Sequence, residues 1–280
     1  MDIKSLSSKV SQCREMLQLH RHFKKYFKIV PATTCDLAEE AQRIRHAVYC
    51  EELGWEPVNE QGLEVDIYDK NSVHCLLLAV NSGRYIGCFR LVLPNPDNLN
   101  SSFPLQELYD DDLYSGYPEY EKMSKGEVAE VSRMTIMPDY RRRKNEKNSP
   151  VSSLNFRTDV DARGKRRFPY IPVGLYIGML EMASFYKIKT LYMLTEPFLA
   201  THFSRLGCCL KPIGDVVDYR GRRRPYVMEV EDVLKSTSLL MRPLIWTIRK
   251  DVKAALAGVQ PMLDLEIKGQ EKKWREREAI

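Results

Sequence analysis

No Cys-x-x-Cys pair occurs in the chain. Its seven cysteines, at positions 13, 35, 50, 75, 88, 208 and 209, are odd in number and scattered. A disulfide framework or a zinc site is therefore not indicated, and buried free thiols in a reducing compartment are the expectation. Histidine is scarce. His20 and His22 lie in a basic N-terminal stretch, and His46, His74 and His202 are far apart, so no metal-ligand spacing exists. No uncharged apolar run reaches the ~18 residues needed to span a bilayer. The opening, MDIKSLSSKVSQCREMLQ, lacks an apolar signal core, which makes the cytoplasm the expected location. No internal repeat is present. What remains is 44% apolar and 29% charged residues in 280, the balance of an ordinary globular protein with a real core.

The net charge of +5 is unevenly spread. Arg141 to Arg167 holds ten basic and three acidic residues, and Arg220 to Arg224 adds four arginines, which leaves the other 248 residues at −6. These two segments form one patch if the fold brings them together. Conversely, Glu52 to Asp69 holds six acidic residues, no cation, and Trp55, one of three tryptophans. Solvation of a loop explains the acid but not the tryptophan.

Residues 5–24 read as a helix and 23–32 as a first strand. Asp36 and Glu39 have capping-box spacing. Leu37, Ala41, Ile44 and Val48 recur on one face of the helix that follows, and Gly54 is a stop signal. Segments 73–80 and 84–93 flank Asn-Ser-Gly, a hairpin signal, and 127–137 is a third strong strand. Residues 140–168 form a polar, basic insertion. Pro172 opens a helix that is apolar all round as far as Phe185, as suits burial against a sheet. A strand at 190–194, a helix ended by Gly207, two strands around a polar turn and a helix from about Val233 to Leu256 complete the order β-α-β-β-β-α-β-α-β-β. This predicts an α/β fold, with helices on both faces of one mixed, twisted sheet. Residues 1–260 form a single domain with the insertion at about 140–168, and 261–280 a charged C-terminal tail.

Strand alternation puts Arg90 on a face with Ile86, Cys88 and Val92. It puts Glu130 with Val128, Met134 and Ile136, and Arg133 with Ala129, Val131 and Met137. A lone buried charge costs several kcal/mol, so each of the three must be paired or reach a polar cavity. The readings are structural ion pairs or a charged pocket between strands. Alternation separates Glu130 from Arg133, so joint action requires a bulge near Val131–Ser132. Arg45 and Tyr49 lie four apart and are placed to stack. Arg45, Asp66, Asp69, Arg90, Glu130 and Arg133 form a balanced set that can fix a zwitterion and hold a carboxylate near a reacting amine.

In order along residues 36–137, Arg45, Tyr49, Gly54-Trp55, Glu64-x-Asp66-x-x-Asp69, Arg90 and Glu130-x-x-Arg133 resemble the pattern of the acyl-homoserine lactone (autoinducer) synthases, a branch of the GNAT acyltransferase fold. The insertion, AEVSRMTIMPDYRRR and RRFPYIPVGLY are more similar to the acyltransferases associated with PEP-CTERM/exosortase systems, and to the N-acyl amino acid synthases. The resemblance implies a GNAT-like fold and transfer of a fatty acyl chain from an acyl carrier protein to an amine. That amine is an amino acid in one group and S-adenosylmethionine in the other. No tightly bound cofactor is implied, only an acyl-phosphopantetheine donor. The chain departs from the wider GNAT pattern in two places. The usual phosphate loop is replaced by RRFPYIPVG, which argues against a coenzyme A pyrophosphate cradle at that helix. Phe203 stands where a general-acid tyrosine is common.

The roles this implies are as follows. Glu130, through a water, takes the amine proton. Backbone N–H groups near Val131–Ser132 polarise the thioester, with Ser132 and Arg133 beside it, and the phosphopantetheine lies between the strands at 127–137 and 190–195. Arg45, Arg90 and Arg133 hold the acceptor carboxylate or brace the acids. Asp66 and Asp69 bind the acceptor amine or complete the network, Glu64 and Tyr49 are further substrate-binding candidates, and Trp55 shields the pocket. Arg141, Arg142, Arg143, Arg166, Arg167, Arg222 and Arg223 are candidates for docking an acidic carrier protein. The rival readings are an acyl-homoserine lactone synthase using S-adenosylmethionine, an acyl-CoA-dependent GNAT enzyme and a basic nucleic-acid-binding or regulatory module. The nucleic-acid reading leaves Glu130 and Asp66 without a role.

Overall fold

The computed structural model describes residues 18–95, 98, 103–108, 125–141, 170–204, 209–237 and 239–258. The expected N-terminal helix is described from residue 18, and almost all of the basic insertion and the C-terminal tail lie outside these residues. Along the chain come α1 (18–26), β1 (Phe27–Pro31), α2 (Cys35–Arg45), β2 (Ser72–Ala79), β3 (Arg84–Val92) and β4 (Val128–Ile136). They are followed by α3 (Tyr170–Phe185), β5 (Thr190–Thr195), α4 (Pro197–Ser204), β6 (Lys211–Pro212), β7 (Val217–Asp218), β8 (Arg222–Glu229), α5 (Val230–Ser236) and α6 (Arg242–Ala255).

One sheet runs β1-β2-β3-β4-β5-β8-β6, with β7 beside β8. The β4–β5 pair is parallel; the other pairs are antiparallel. The hairpin expected from Asn-Ser-Gly forms, with Gly83 at φ +66° and its N–H donating to the Ala79 carbonyl at 2.9 Å. The helix α2 covers one face of β2 and β3, where Ala41, Ile44, Leu76 and Cys88 pack together. Its cap is Thr34, whose hydroxyl accepts from the Leu37 N–H at 3.3 Å; Asp36 falls in the first turn instead.

On the other face α3 is buried on all sides, beneath α6 and against the sheet, as its continuous apolar sequence requires. Glycine makes this closeness possible. A Cβ at Gly174 would sit 2.3 Å from the Phe23 ring, and one at Gly178 would be 3.1 Å from Ile29. The single helix expected from Val233 to Leu256 is broken. Helix α5 ends at Ser236, a 3-10 turn spans Leu239–Met241, and α6 restarts with Pro243 in its first turn. Proline has no N–H to continue an earlier helix but fits the start of a new one.

Candidate active site

The sheet carries its charges at one break in regular pairing. On β3, Arg90 faces Ser132 and Cys88 faces Thr135, so Phe89 alone opposes the two residues Arg133 and Met134. This is a bulge in β4, and Arg133 sits in it at φ +54°. The extra residue lets Glu130, Ser132 and Arg133 share the face that α2 covers. The required bulge is therefore present, one to two residues later than Val131–Ser132. Beyond Val131, paired with Met193, β4 has no further register with β5, and a cleft opens there.

Three guanidinium groups meet four carboxylates from the acidic segment. Arg45 donates through Nε to Glu64 and through its other nitrogens to Asp69 at 2.6 and 3.0 Å. Arg90 grips Asp66 with two bonds of 2.6 Å, reaches Asp69 at 2.8 Å, and donates to Ser132 Oγ at 2.8 Å. Arg133 holds Glu64 at 2.8 and 3.0 Å, Asp66 at 3.2 Å and Glu56 at 3.3 Å. Local structure presents the acids. The Glu64 N–H donates to the Gln42 carbonyl of α2 at 3.1 Å. Asp66 caps a 3-10 turn, Ile67–Asn71, and Asp69 accepts from the Asp66 N–H at 2.8 Å, which makes a capping box. The box spacing that fails at Asp36 and Glu39 is thus satisfied at Asp66 and Asp69.

Burial by itself would raise Glu64, Asp66 and Asp69. The arginines outweigh it and hold all three below the usual carboxylate range. Arg45 and Arg90 are fully buried, so they brace the acids rather than contact a ligand. The open edge belongs to Arg133, with 15% of its side chain exposed, and Asp66, with 23%. Beside them His74 is buried, with Nε2 3.5 Å from Asp69. Burial, then Arg45, lowers its pKa to about 4.

Glu130 stands apart from these ion pairs. It is buried and accepts from the Leu105 N–H at 2.9 Å. Burial pushes its pKa up to about 8, against the pull of that N–H and of Arg90 and Arg133. It lies on the same face as Ser132 but does not line the cleft.

The expected stacking of Arg45 on Tyr49 is not observed. After Arg45 the helix widens into a π-helical turn, His46–Glu52, which changes the i,i+4 geometry. Tyr49 instead donates to the Met134 carbonyl at 3.3 Å, and Arg133 lies 5.5 Å from its ring centre. Burial raises its hydroxyl to about 12. Trp55 packs on Tyr49 with ring centres 5.7 Å apart, and Arg223 lies 5.4 Å from the Trp55 ring centre on the other element.

The cleft opens to solvent, and the space between its lining residues, open solvent included, is about 610 Å³. Tyr176, Met179, Met193, Leu199 and Phe203 form its apolar wall, while Tyr49, Ser132, Arg133 and Arg223 form its polar end. Tyr176 and Phe203 stack at 4.5 Å. Of the arginines expected to dock a carrier, Arg141 pairs with Glu52, Arg222 is exposed and Arg223 lines the cleft. Arg142, Arg143, Arg166 and Arg167 lie outside the described residues. Sequence reasoning missed Glu56, which bridges Arg133 and Arg220, and His74. A signal for Glu56 existed in its place beside Trp55.

A family model described as an acetyltransferase (GNAT) domain matches residues 44–148. Among solved structures the chain is similar to BjaI, a CoA-dependent acyl-homoserine lactone synthase seen with SAM and isopentyl-CoA. The identity is 18%, over 78% of this chain and 89% of that one, with a TM-score of 0.53. It is likewise similar to the AHL synthase LasI, at 17% identity over 76% and 95% of the two chains and a TM-score of 0.52. FeeM, an N-acyl amino acid synthase from uncultured soil microbes, matches at 15% identity over 77% and 97% of the two chains with a TM-score of 0.48. No curated protein matches the sequence. At these identities the structural likeness is one of fold. The fold is that of the GNAT acyltransferases, and acyl transfer is the chemistry of the domain the family model describes.

Proposed function

We propose that the protein is an N-acyltransferase that moves a fatty acyl chain from an acyl carrier protein thioester to the amine of a small, amino acid-like acceptor. One observation supports this above the others: the apolar cleft between β4 and β5 ends at the exposed edge of the ion network, beside Ser132 and Arg133. The acyl chain lies along Tyr176, Met193 and Phe203. The thioester carbonyl faces backbone N–H groups of β4 past the point where β5 ceases to pair. The acceptor enters between Asp66, Arg133 and Arg223, with its ammonium toward the acid and its carboxylate toward the arginines. Glu130, with a pKa of about 8, takes the amine proton through a water once it has ionised, so the rate rises with pH towards and through 8. Trp55 and its acidic segment close the site against solvent. Attack of the neutral amine on the thioester forms the amide and releases the pantetheine thiol. The likeness to exosortase-associated acyltransferases belongs to this reading.

The test offers the protein acyl carrier protein or CoA thioesters of several chain lengths with the common amino acids and S-adenosylmethionine, and follows products by mass spectrometry. An N-acyl amino acid formed faster from the carrier protein is expected. Product from CoA alone would move the donor to CoA. An acylated lactone with release of methylthioadenosine would move the acceptor to S-adenosylmethionine. No amide with any pair would end the acyltransferase reading.

A further inference from the structure

On the sheet face opposite the ion network, α6 packs over α3 and β1 and presents a stripe that the acyl-transfer reading does not use. Arg242, Trp246, Lys250 and Lys253 follow at steps of four, four and three, and all are exposed, so they share one side of the helix. Trp246 is 64% exposed, and so is 69% of Leu239 in the turn that leads into α6. Lys250 Nζ lies 5.7 Å from the centre of the Trp246 ring. The stripe continues onto the neighbouring edge. Exposed Lys24 and Lys28, from α1 and β1, lie close enough to Asp251 to act on its charge together with Lys250. Three cations thus gather around half-buried Asp251, and Arg242 and Lys253 extend the basic stripe along α6.

Single exposed apolar residues are ordinary. An exposed tryptophan and leucine two turns apart within a basic stripe are a different combination. Tryptophan and leucine favour the boundary between water and acyl chains, and lysine and arginine favour anionic headgroups. Phosphate recognition on a nucleic acid would need the cations but not Leu239, and Lys250 already covers one face of the Trp246 ring. We infer that the exposed face of α6, with the adjoining edge of α1 and β1, is a docking surface for an anionic lipid bilayer. The helix lies flat with Leu239 and Trp246 at headgroup depth, and Lys24, Lys28, Arg242, Lys250 and Lys253 meet lipid phosphates. The inference stands without the acyl-transfer reading. If both hold, an amphiphilic product is released beside a membrane.

The experiment is sedimentation of the full chain with vesicles of phosphatidylcholine alone and of phosphatidylcholine with phosphatidylglycerol, at low and high salt. The variants are Trp246→Ala and the pair Lys250→Glu/Lys253→Glu. All three positions are exposed, and unchanged thermal unfolding confirms intact variants. Sedimentation only with the anionic vesicles is expected, weakened by salt, reduced by Trp246→Ala and lowered at least ~25-fold by the double reversal, at about fivefold per charge. No sedimentation, equal sedimentation with both compositions, or wild-type behaviour of both variants would each overturn the inference. So would duplex DNA binding, or self-association, that the same substitutions abolish while vesicles are left unbound.

Discussion

Glu130 is the residue at which structure and chemistry are most tightly coupled. Its carboxyl titrates at about 8 in the fold against an ordinary 4.5, so between these values the folded chain keeps a proton that the unfolded chain releases. Stability from this group therefore falls as pH rises through that window. His74 acts in the opposite sense. With a folded value of about 4 against 6.5, it makes stability rise with pH between the two. The contributions offset up to about pH 6.5, and above that only Glu130 acts. Wild-type protein is expected to lose ~1–2 kcal/mol between pH 6.5 and 8 in urea unfolding, and Glu130→Gln is expected to show no such loss. An equal loss in both would remove the cause assigned to Glu130. The same substitution is expected to cut turnover at least ~100-fold and to abolish a rise in rate centred near pH 8. Normal turnover would remove Glu130 from the reaction.

At the scale of elements, the strands and α2 were legible because their patterns have a clean period, and Arg90, Glu130 and Arg133 were conspicuous because charge interrupted that period. The bulge was legible as a necessity, since Glu130 and Arg133 could not otherwise share a face. Its position was not, because the extra residue is fixed by pairing with Phe89, a contact that alternation alone does not encode. The π-helical turn after Arg45 was hidden because the apolar spacing continues through Val48 as in an ordinary helix, and the partners of Arg45 lie nineteen and twenty-four residues away. The acidic stretch around Trp55 finds its explanation here, as counter-charge to arginines carried on α2 and the sheet. The cleft wall was illegible, since Tyr176, Met193 and Phe203 read as ordinary core. A prediction at this scale concerns α3. With 2.3 Å between a Cβ at Gly174 and the Phe23 ring, Gly174→Ala is expected to lower stability by ~1–3 kcal/mol, read as a lower unfolding midpoint. An unchanged midpoint would show that α1 does not pack as described.

Over the whole molecule, charge is divided by function. Glu56, Glu64, Asp66 and Asp69 are held inside the network, while Arg222 is exposed at the start of β8 and Arg223 lines the cleft. If these arginines steer an acidic carrier protein, kcat/KM for the carrier-bound thioester falls as salt rises, and Arg222→Glu lowers it further while leaving a CoA thioester less affected. Equal salt dependence for both donors would assign Arg222 to solvent alone. Among the described residues no helix is long and apolar enough to cross a membrane.

The most direct measurement is a crystal structure of the protein with a thioether analogue of a fatty acyl-pantetheine. The acyl chain should lie between β4 and β5 against Tyr176, Met193 and Phe203, with the sulfur beside Ser132 and Arg133 and within a few ångströms of Asp66. An analogue bound elsewhere, or one whose sulfur is separated from the ion network by closed protein, would contradict the joining of cleft and charge at the β4 bulge.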